Sequence, residues 1–451
     1  MPRLMIQTIV RPKGAAVLAL ALLMLGGPNP GLATGQNGDR NFSERIGDMN
    51  AKQLLAELSA EFDRLRPQVI MPAEGFIKHD YLIPAGFYKQ MWDWDGFFIG
   101  CHLASRSRDD AKYLKGWVLN FVGAIDSEGY VAGCVTPLGP RPLFGKFAMK
   151  PFLCQGAFFA SQRLGDFSWV IPVYEGLKKV VAYREKTQAD PKYGLFFWDN
   201  AMQSGADNNI ALTNDPKDPS AILATDINTF QLREYIALSV IAEKLGKAKD
   251  AALYREKAGA LQAAMVRNLW FKDDASFFNV RRDNGLPLKR VAYSNFVPLI
   301  QKILPAVDGR RMIERYLWNK DHMLSGHGLR TLSKKDAEYN NKNIIIPYSN
   351  WQGPVWPIAD YLYFIGLENY GFNREAADLA ETLGRLVLAD IRACGSMHEN
   401  YDADTGEPLA PTAAQSKDGV FTGFVGWNLL VQNMLQGTVE GRWLLLELPF
   451  E

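Results

Sequence analysis

The chain has 451 residues, 47% of them hydrophobic and 22% charged, the make-up of a folded globular protein with room for one large domain or two or three smaller ones. Its formal charge is +1, and the first 33 residues contribute three cations, Arg3, Arg11 and Lys13, and no acid. A chain this close to neutral has no global field for nucleic acid or for an anionic membrane surface, so both partner classes are set aside.

The N-terminus reads as an export signal. Arg11 and Lys13 precede an apolar run from Ala15 to Leu25, and Gly31-Leu32-Ala33 supplies small residues for cleavage. The run is short for a bilayer span, though an uncleaved anchor would look similar. Residues 1–33 are therefore expected to be a signal peptide, 34–48 a flexible polar segment, and 49–451 one catalytic domain of an exported, periplasmic or secreted protein. No later segment is long and apolar enough to be an integral membrane span.

From there helical patterns dominate. Helices are predicted near 50–66, 95–107, 109–126, 151–165, 168–187, 226–246, 248–269, 291–302, 308–317, 352–369, 373–394 and 419–436. The clearest stripes are Tyr254, Ala258, Leu261, Met265 and Leu269, and Leu379, Leu383, Leu386 and Val387 after an expected N-cap at Asn373. Short connections, such as the one between 226–246 and 248–269, favour antiparallel hairpins. Twelve helices in hairpins predict an all-α fold, a closed double ring of six inner and six outer helices with a few short strands near 193–198 and 276–280. The long connections at 127–150, 188–225, 270–290, 319–350 and 395–418 are rich in Gly, Pro, Asn and Asp, and connections of that length are usually functional.

Four cysteines, Cys101, Cys134, Cys154 and Cys394, allow three full pairings in an exported compartment, or serve as buried thiols. None has a zinc spacing, and the histidines pair with no Ser or Cys in a nucleophile motif.

Two acids stand out in those long connections. Asp207 lies in Gln203-Ser204-Gly205-Ala206-Asp207-Asn208-Asn209, downstream of the aromatic stretch Leu195-Phe196-Phe197-Trp198. A carboxyl held among aromatics keeps its proton to higher pH, which suits a general acid; a turn or helix cap is the structural alternative. Glu399 lies in His398-Glu399-Asn400-Tyr401, followed by the turn Asp402-Ala403-Asp404-Thr405-Gly406. A surface ion pair is its alternative. Asp402 and Asp404 are spaced like calcium ligands but lack a full set, and no metal or organic cofactor is expected. Tryptophans gather in Trp92-Asp93-Trp94-Asp95 and Asn350-Trp351-Gln352-Gly353-Pro354-Val355-Trp356. Two carboxyls plus indole faces match the needs of acetal cleavage: one acid for the leaving oxygen, one base for water, flat rings for the pyranose.

Together these segments resemble glycoside hydrolase family 63, in particular its bacterial mannosylglycerate and glucosylglycerate hydrolases. The likeness runs in family order through Gln90-Met91-Trp92-Asp93-Trp94-Asp95, Ser204-Gly205-Ala206-Asp207-Asn208, Asp226-Ile227-Asn228, Gly328-Leu329 with Asp336 and Tyr339, Trp351-Gln352-Gly353-Pro354-Val355-Trp356, His398-Glu399-Asn400-Tyr401 and Gly426-Trp427. The resemblance implies an (α/α)6 barrel and an inverting α-glycosidase with Asp207 as general acid and Glu399 as general base. Trp92, Trp94, Asp95, Trp351, Gln352, Gly353, Trp356 and Trp427 would shape the sugar pocket. Inversion needs the two carboxyls roughly 6.5–9.5 Å apart. Three positions depart from the family: Gln203 for a Glu, Gln352 for an Arg and Lys150 for a Gln. The expected partner is a small α-linked sugar or sugar conjugate. A trehalase-like hydrolase and a non-catalytic sugar-binding protein are the alternatives; the near-neutral charge disfavours a uronate lyase.

Overall fold

The computed structural model describes residues 46–47, 49–86, 88–142, 147–213, 218–344, 349–411, 422–441 and 447–449. The predicted signal segment and most of the polar segment after it lie outside the described residues. Chain contacts gather Asn41–Glu451 into one unit. Among the described residues no helix is long and apolar enough to cross a membrane.

In chain order the helices are α1 (Ala51–Leu65), α2 (Asp93–Arg106), α3 (Ala111–Val122), α4 (Leu153–Leu164), α5 (Tyr174–Gln188), α6 (Ala201–Ser204), α7 (Ile210–Thr213), α8 (Thr225–Lys244), α9 (Ala248–Leu269), α10 (Tyr293–Phe296), α11 (Ala306–Met312), α12 (Pro357–Asn369), α13 (Asn373–Cys394) and α14 (Leu430–Glu440). Pro298 takes a backbone donor out of the turn after α10, and Val297–Gln301 continues as a 3₁₀ segment. A π turn, Ile313–Leu317, extends α11, and a 3₁₀ turn, Gly426–Leu429, leads into α14. With α10 and α11 counted with their extensions, and the one-turn α6 and α7 set aside, twelve α-helices remain among the described residues, one for each predicted segment.

Six of them close a ring. α2 packs on α4, α4 on α8, α8 on Val297–Gln301, that segment on α12, α12 on α14, and α14 on α2. Helices in this ring meet neighbours on every side, so they are buried all round: α2 from Asp93 to Ala104, α12 from Pro357 to Leu367. The outer helices need only one apolar face. In α9 the buried face includes the whole predicted stripe, Tyr254, Ala258, Leu261, Met265 and Leu269, and in α13 it includes Leu379, Leu383, Leu386 and Val387. This is an (α/α)6 barrel.

Three boundaries differ from the sequence expectation. α12 starts at Pro357, not near 352, because Val355 is tied to Tyr401 as an antiparallel bridge and Trp356 takes the extended cap conformation. Asn373 is the first helical residue of α13, not its cap. The last inner helix begins at Gly426 and runs on to Glu440. The long connections fold as small hairpins: Cys134–Thr136 with Gly139–Pro140, Ala189–Asp190 with Leu195–Phe196, Trp270–Phe271 with Ser276–Phe277, and Asn400–Tyr401 with Pro408–Leu409. No disulfide links the four cysteines; three are buried and Cys394 is exposed.

Candidate functional site

The inner helices bring their N-terminal ends together, and rings do the joining. Trp94, in the first turn of α2, lies 6.4 Å from Phe152 at the cap of α4 and 6.1 Å from Trp427 in the Gly426–Leu429 turn. Trp427 is 6.1 Å from Trp356, the cap of α12, which stacks on Trp351 at 4.4 Å. Trp351 in turn meets Tyr293, the first residue of α10, at 5.1 Å. Phe152 reaches Phe230 of α8 at 4.8 Å, and Trp94 meets Trp351 at 6.3 Å, closing a ring of four indoles. Such pairs contribute about 0.5–1.5 kcal/mol each beyond area burial, so the floor is rigid.

The acids stand at this mouth. Asp95 is in the first turn of α2, where the helix dipole favours a negative charge. Asp207 follows α6, which ends at Gly205 with φ +82°. That glycine does two jobs: it makes the left-handed turn, and it lets the backbone pass Lys150 and Trp94 where a Cβ would come within 3.0 Å and 3.3 Å of their side chains. Ser349 Oγ donates to Asp207 Oδ2 at 2.7 Å. Asn208 locks the two loops together, its side-chain oxygen accepting from the Trp351 N–H at 2.6 Å. Glu399 is buried between His398 and Asn400 and accepts a hydrogen bond from Tyr88.

Glu399, Tyr88 and Asp95 each sense acids of this group. Burial raises Glu399 well above the usual carboxylate range, and the charges of Asp207 and Asp95 add to that. Burial raises Asp95 to about 7, opposed by Lys150 and helped by Asp93 and Asp207. Burial raises Asp207 to about 6, opposed by the Ser349 hydroxyl and Lys150. Tyr88 is pushed up by burial and then by Glu399, Asp207 and Asp95 together. A charge that shifts a buried neighbour lies close to it, and Asp95 and Asp207, raised to about 7 and about 6, keep their protons nearer to neutrality than free carboxyls do.

This burial has a cost in stability. A raised carboxyl binds its proton more tightly in the folded chain than in the unfolded one, so its contribution to stability falls as pH rises above the ordinary carboxylate value. Glu399→Gln removes that burden. The variant is expected to melt at higher temperature than the parent at pH 7 and at the same temperature near pH 4; equal melting at both pH values would contradict the burial of Glu399.

Not every predicted residue joins the cluster in the same way. Trp94, Asp95, Trp351, Trp356 and Trp427 meet there. Trp92 is half-buried and makes no ring contact with them among the described residues; its backbone pairs with Cys134, and its carbonyl accepts from Trp117 Nε1 at 3.4 Å. Gln352 is engaged at both ends of its amide, donating to the Asn208 carbonyl at 3.3 Å and accepting from Asn340 Nδ2 at 3.2 Å. Gly353 permits contact with Asn340, whose carbonyl oxygen would be 2.2 Å from a Cβ there. Gln203 is spent on the loop itself, donating to the Ala148 carbonyl and accepting from Gln188 and from the Asp199 N–H. Asp404 pairs with Arg330, and Asp402 caps its own turn. Asp390, Cys394 and His398 bring ligand atoms within 4.8 Å of one another, but the Asp390 oxygens already accept from His398 and Tyr401. Two open surface hollows, of about 520 Å³ beside Lys112 and Lys115 and about 560 Å³ beside Arg281 and Arg282, contain none of the cluster.

Residues 151–418 match the family model described as a mannosylglycerate hydrolase MGH1-like glycoside hydrolase domain, more than half of the chain. The chain belongs to that family. The kinship with family 63 indicated by its motifs agrees with this. A mannosylglycerate hydrolase of Rubrobacter radiotolerans is 25% identical over 179 residues, 40% of this chain and 38% of the relative. A trehalase of Apis mellifera is 20% identical over 388 residues, 73% of this chain and 59% of the relative. The matches thus span less than two thirds of either relative. A family 63 mannosylglycerate hydrolase from Thermus thermophilus, solved in complex with glucose, superposes with a TM-score of 0.63 at 17% identity, covering 84% of this chain and 98% of the other. That likeness is one of fold. The MGH1-like chain shares the barrel with it, and the aromatic mouth lies at the N-terminal ends of its inner helices.

Sequence reasoning missed four residues of this MGH1-like site. Tyr88 and Ser349 each precede a recognised tryptophan motif by a few positions, and nothing in composition marks them as partners of Glu399 and Asp207. Asn208 is visible in the sequence as part of the Asp207 motif, but not as the acceptor for the Trp351 N–H. Phe424, which packs on both Trp427 at 4.5 Å and Tyr88 at 5.8 Å, carries no sequence signal at all.

Proposed function

We propose that this protein is an exported, inverting α-glycosidase acting on a small α-glucoside or α-mannoside. One observation supports the reading: the charges of Asp207 and Asp95 reach the buried Glu399 carboxyl, and Trp94, next to Asp95 in the chain, meets Trp351 and Trp427, with Trp356 stacked on Trp351. Asp207 donates its proton to the glycosidic oxygen as the bond to the anomeric carbon breaks. Glu399 takes a proton from the water that attacks the opposite face of the ring. The outcome is a hemiacetal of inverted configuration, with the proton gained by Glu399 returned to solvent and Asp207 reprotonated. Asp95, held at the dipole of α2, bonds sugar hydroxyls, and the indole faces grip the ring. Export rests on the residue pattern of 1–33.

Two observations favour a trehalase-like second reading. The Apis trehalase match takes in 73% of the chain. Gln352 stands where the family pattern has an arginine, and both ends of its amide are engaged within the chain, so it offers no charged fork to a glycerate carboxylate. Proton NMR of the first-formed anomer, run on glucosylglycerate, mannosylglycerate, trehalose, kojibiose and nigerose, separates the readings. A β-anomer as first product is expected. Trehalose cut by inversion gives one β- and one α-glucose, so retention is read as an α-anomer first formed from the glycosyl unit of glucosylglycerate or mannosylglycerate; turnover of trehalose alone selects the second reading, and no turnover on the whole panel rejects both.

A further inference from the structure

Glu399 sits in a short extended stretch, and what fixes that stretch comes from outside the mouth. Asp390, fully buried in the last turns of the outer helix α13, accepts from the His398 N–H at 2.7 Å, faces His398 Nδ1 at 3.0 Å through both oxygens, and accepts from the Tyr401 hydroxyl at 2.9 Å. His398 and Tyr401 bracket Glu399. Asn428, in the turn before α14, donates to the His398 carbonyl at 2.7 Å. Tyr401 exchanges both backbone hydrogen bonds with Val355, at 2.8 and 2.9 Å, one residue before Trp356. The segment 398–401 is thus pinned to α13, to α14 and to α12, and one carboxylate gathers three of the donors. Glu399, between the anchors His398 and Tyr401, accepts from Tyr88 and feels the charge of Asp207.

We propose that Asp390 is the positioning residue of the proposed general base: by holding His398 and Tyr401 on either side, it fixes the Glu399 carboxyl against the attacking water. The inference rests on the glycosidase reading of the preceding subsection. Asp390 touches no substrate in this scheme. An amide NH2 at the Oδ2 position meets the His398 N–H and the Tyr401 hydroxyl, and one at the Oδ1 position replaces the charge that faces His398 Nδ1 with a donor, so either orientation loosens a flank. A misplacement of about 1 Å costs a catalytic group roughly 10²-fold in rate. Tyr401 contributes one of the donors, so its loss costs less.

The test compares Asp390→Asn and Tyr401→Phe with Glu234→Gln. Glu234 is an equally buried carboxylate that accepts from the Cys154 and Gln155 N–H groups in the first turn of α4, and it is not among the charges that shift Asp95, Asp207 or Glu399. On a substrate turned over by the parent, Asp390→Asn is expected to lower kcat by roughly 10²-fold with KM changed less than about threefold, and Tyr401→Phe by roughly tenfold. Glu234→Gln is expected to lower the melting temperature while the folded fraction keeps the parental kcat. A parental kcat per folded molecule in Asp390→Asn, or a rise in KM at unchanged kcat, overturns the proposal. Should Asp390→Asn fail to fold, Tyr401→Phe decides alone, a parental kcat overturning the proposal. A second readout needs no turnover: the carboxyl carbon resonance of Glu399 is expected to titrate at a different pH in Asp390→Asn or Tyr401→Phe than in the parent. Unmoved titration overturns the positioning claim. An inactive parent with a moved titration leaves the clamp standing and rejects the glycosidase reading instead.

Discussion

Asp207→Asn is expected to lose roughly 10²–10⁴-fold in kcat on a natural α-glycoside and to recover most of it on the matching α-glycosyl fluoride, whereas Glu399→Gln loses a similar factor on both. The logic is in the leaving group. Fluoride departs without a proton, so a missing acid matters little, while water still has to be deprotonated on the other face of the ring. The experiment is worth doing because the protein's own groups do not rank the two carboxyls as the roles would suggest. Glu399, the proposed base, is pushed well above the carboxylate range, by burial and by the charges of Asp207 and Asp95. Asp207, the proposed acid, reaches only about 6, because Ser349 and Lys150 hold it down against burial. A coupled pair titrates as a unit, and the proton's address depends on what is bound. A glycosidic oxygen against Asp207 offers that group an acceptor, and a water against Glu399 offers it a donor; both contacts move the shared proton to Asp207. If fluoride rescues Glu399→Gln and not Asp207→Asn, the roles are exchanged. If it rescues neither, the pair does not divide the work as acid and base.

Much of this was legible in the residues alone. The inner and outer helices differ in how many faces they bury, and a chain writes that directly: α9 and α13 carry single stripes, while Asp93–Ala104 and Pro357–Leu367 are buried all round. The tryptophan motifs were legible because indole rings in polar, glycine-marked segments have little structural reason to cluster. Helix starts were less so. The expected start of α12 near the Gly353-Pro354 pair failed because a contact across about 45 residues, Val355 with Tyr401, holds the backbone extended up to Trp356. The same long-range pairing hid the surroundings of Glu399. Asp390 reads from sequence as one more acid on an amphipathic helix, and only the fold turns it toward His398. Departures from the family pattern were visible as letters and not as chemistry: Gln203 and Gln352 both prove to be tied into loop hydrogen bonds.

The third departure is different in kind. Lys150 replaces a family glutamine with a cation and is almost fully buried. Its backbone N–H donates to Asp93 Oδ2 at 2.6 Å, its ammonium lies 3.1 Å from Asp93 Oδ1, and it sits 5.6 Å from the Trp94 ring centroid. Asp93 therefore grips Lys150 at both ends, and the charge is delivered beside Asp95 and Asp207, where it lowers both proton affinities. Two substitutions separate the structural from the electrostatic part. Lys150→Met leaves Asp93 buried with backbone donors alone and is expected to cost about 3 kcal/mol of stability, the low end for breaking a buried pair. Lys150→Gln keeps a donor toward Asp93 and is expected to cost less than about 1.5 kcal/mol. Both remove the positive charge, so both let Asp207 keep its proton to higher pH. The alkaline limb of the kcat/KM profile, set by loss of the proton from the acid, is expected to move upward by up to about one pH unit in each. Chemical denaturation gives the first quantity and the pH profile the second. Two variants that differ in stability and agree in pH limb would establish that the cation tunes the acid; a limb that stays in place in both would leave Lys150 as no more than the partner of Asp93.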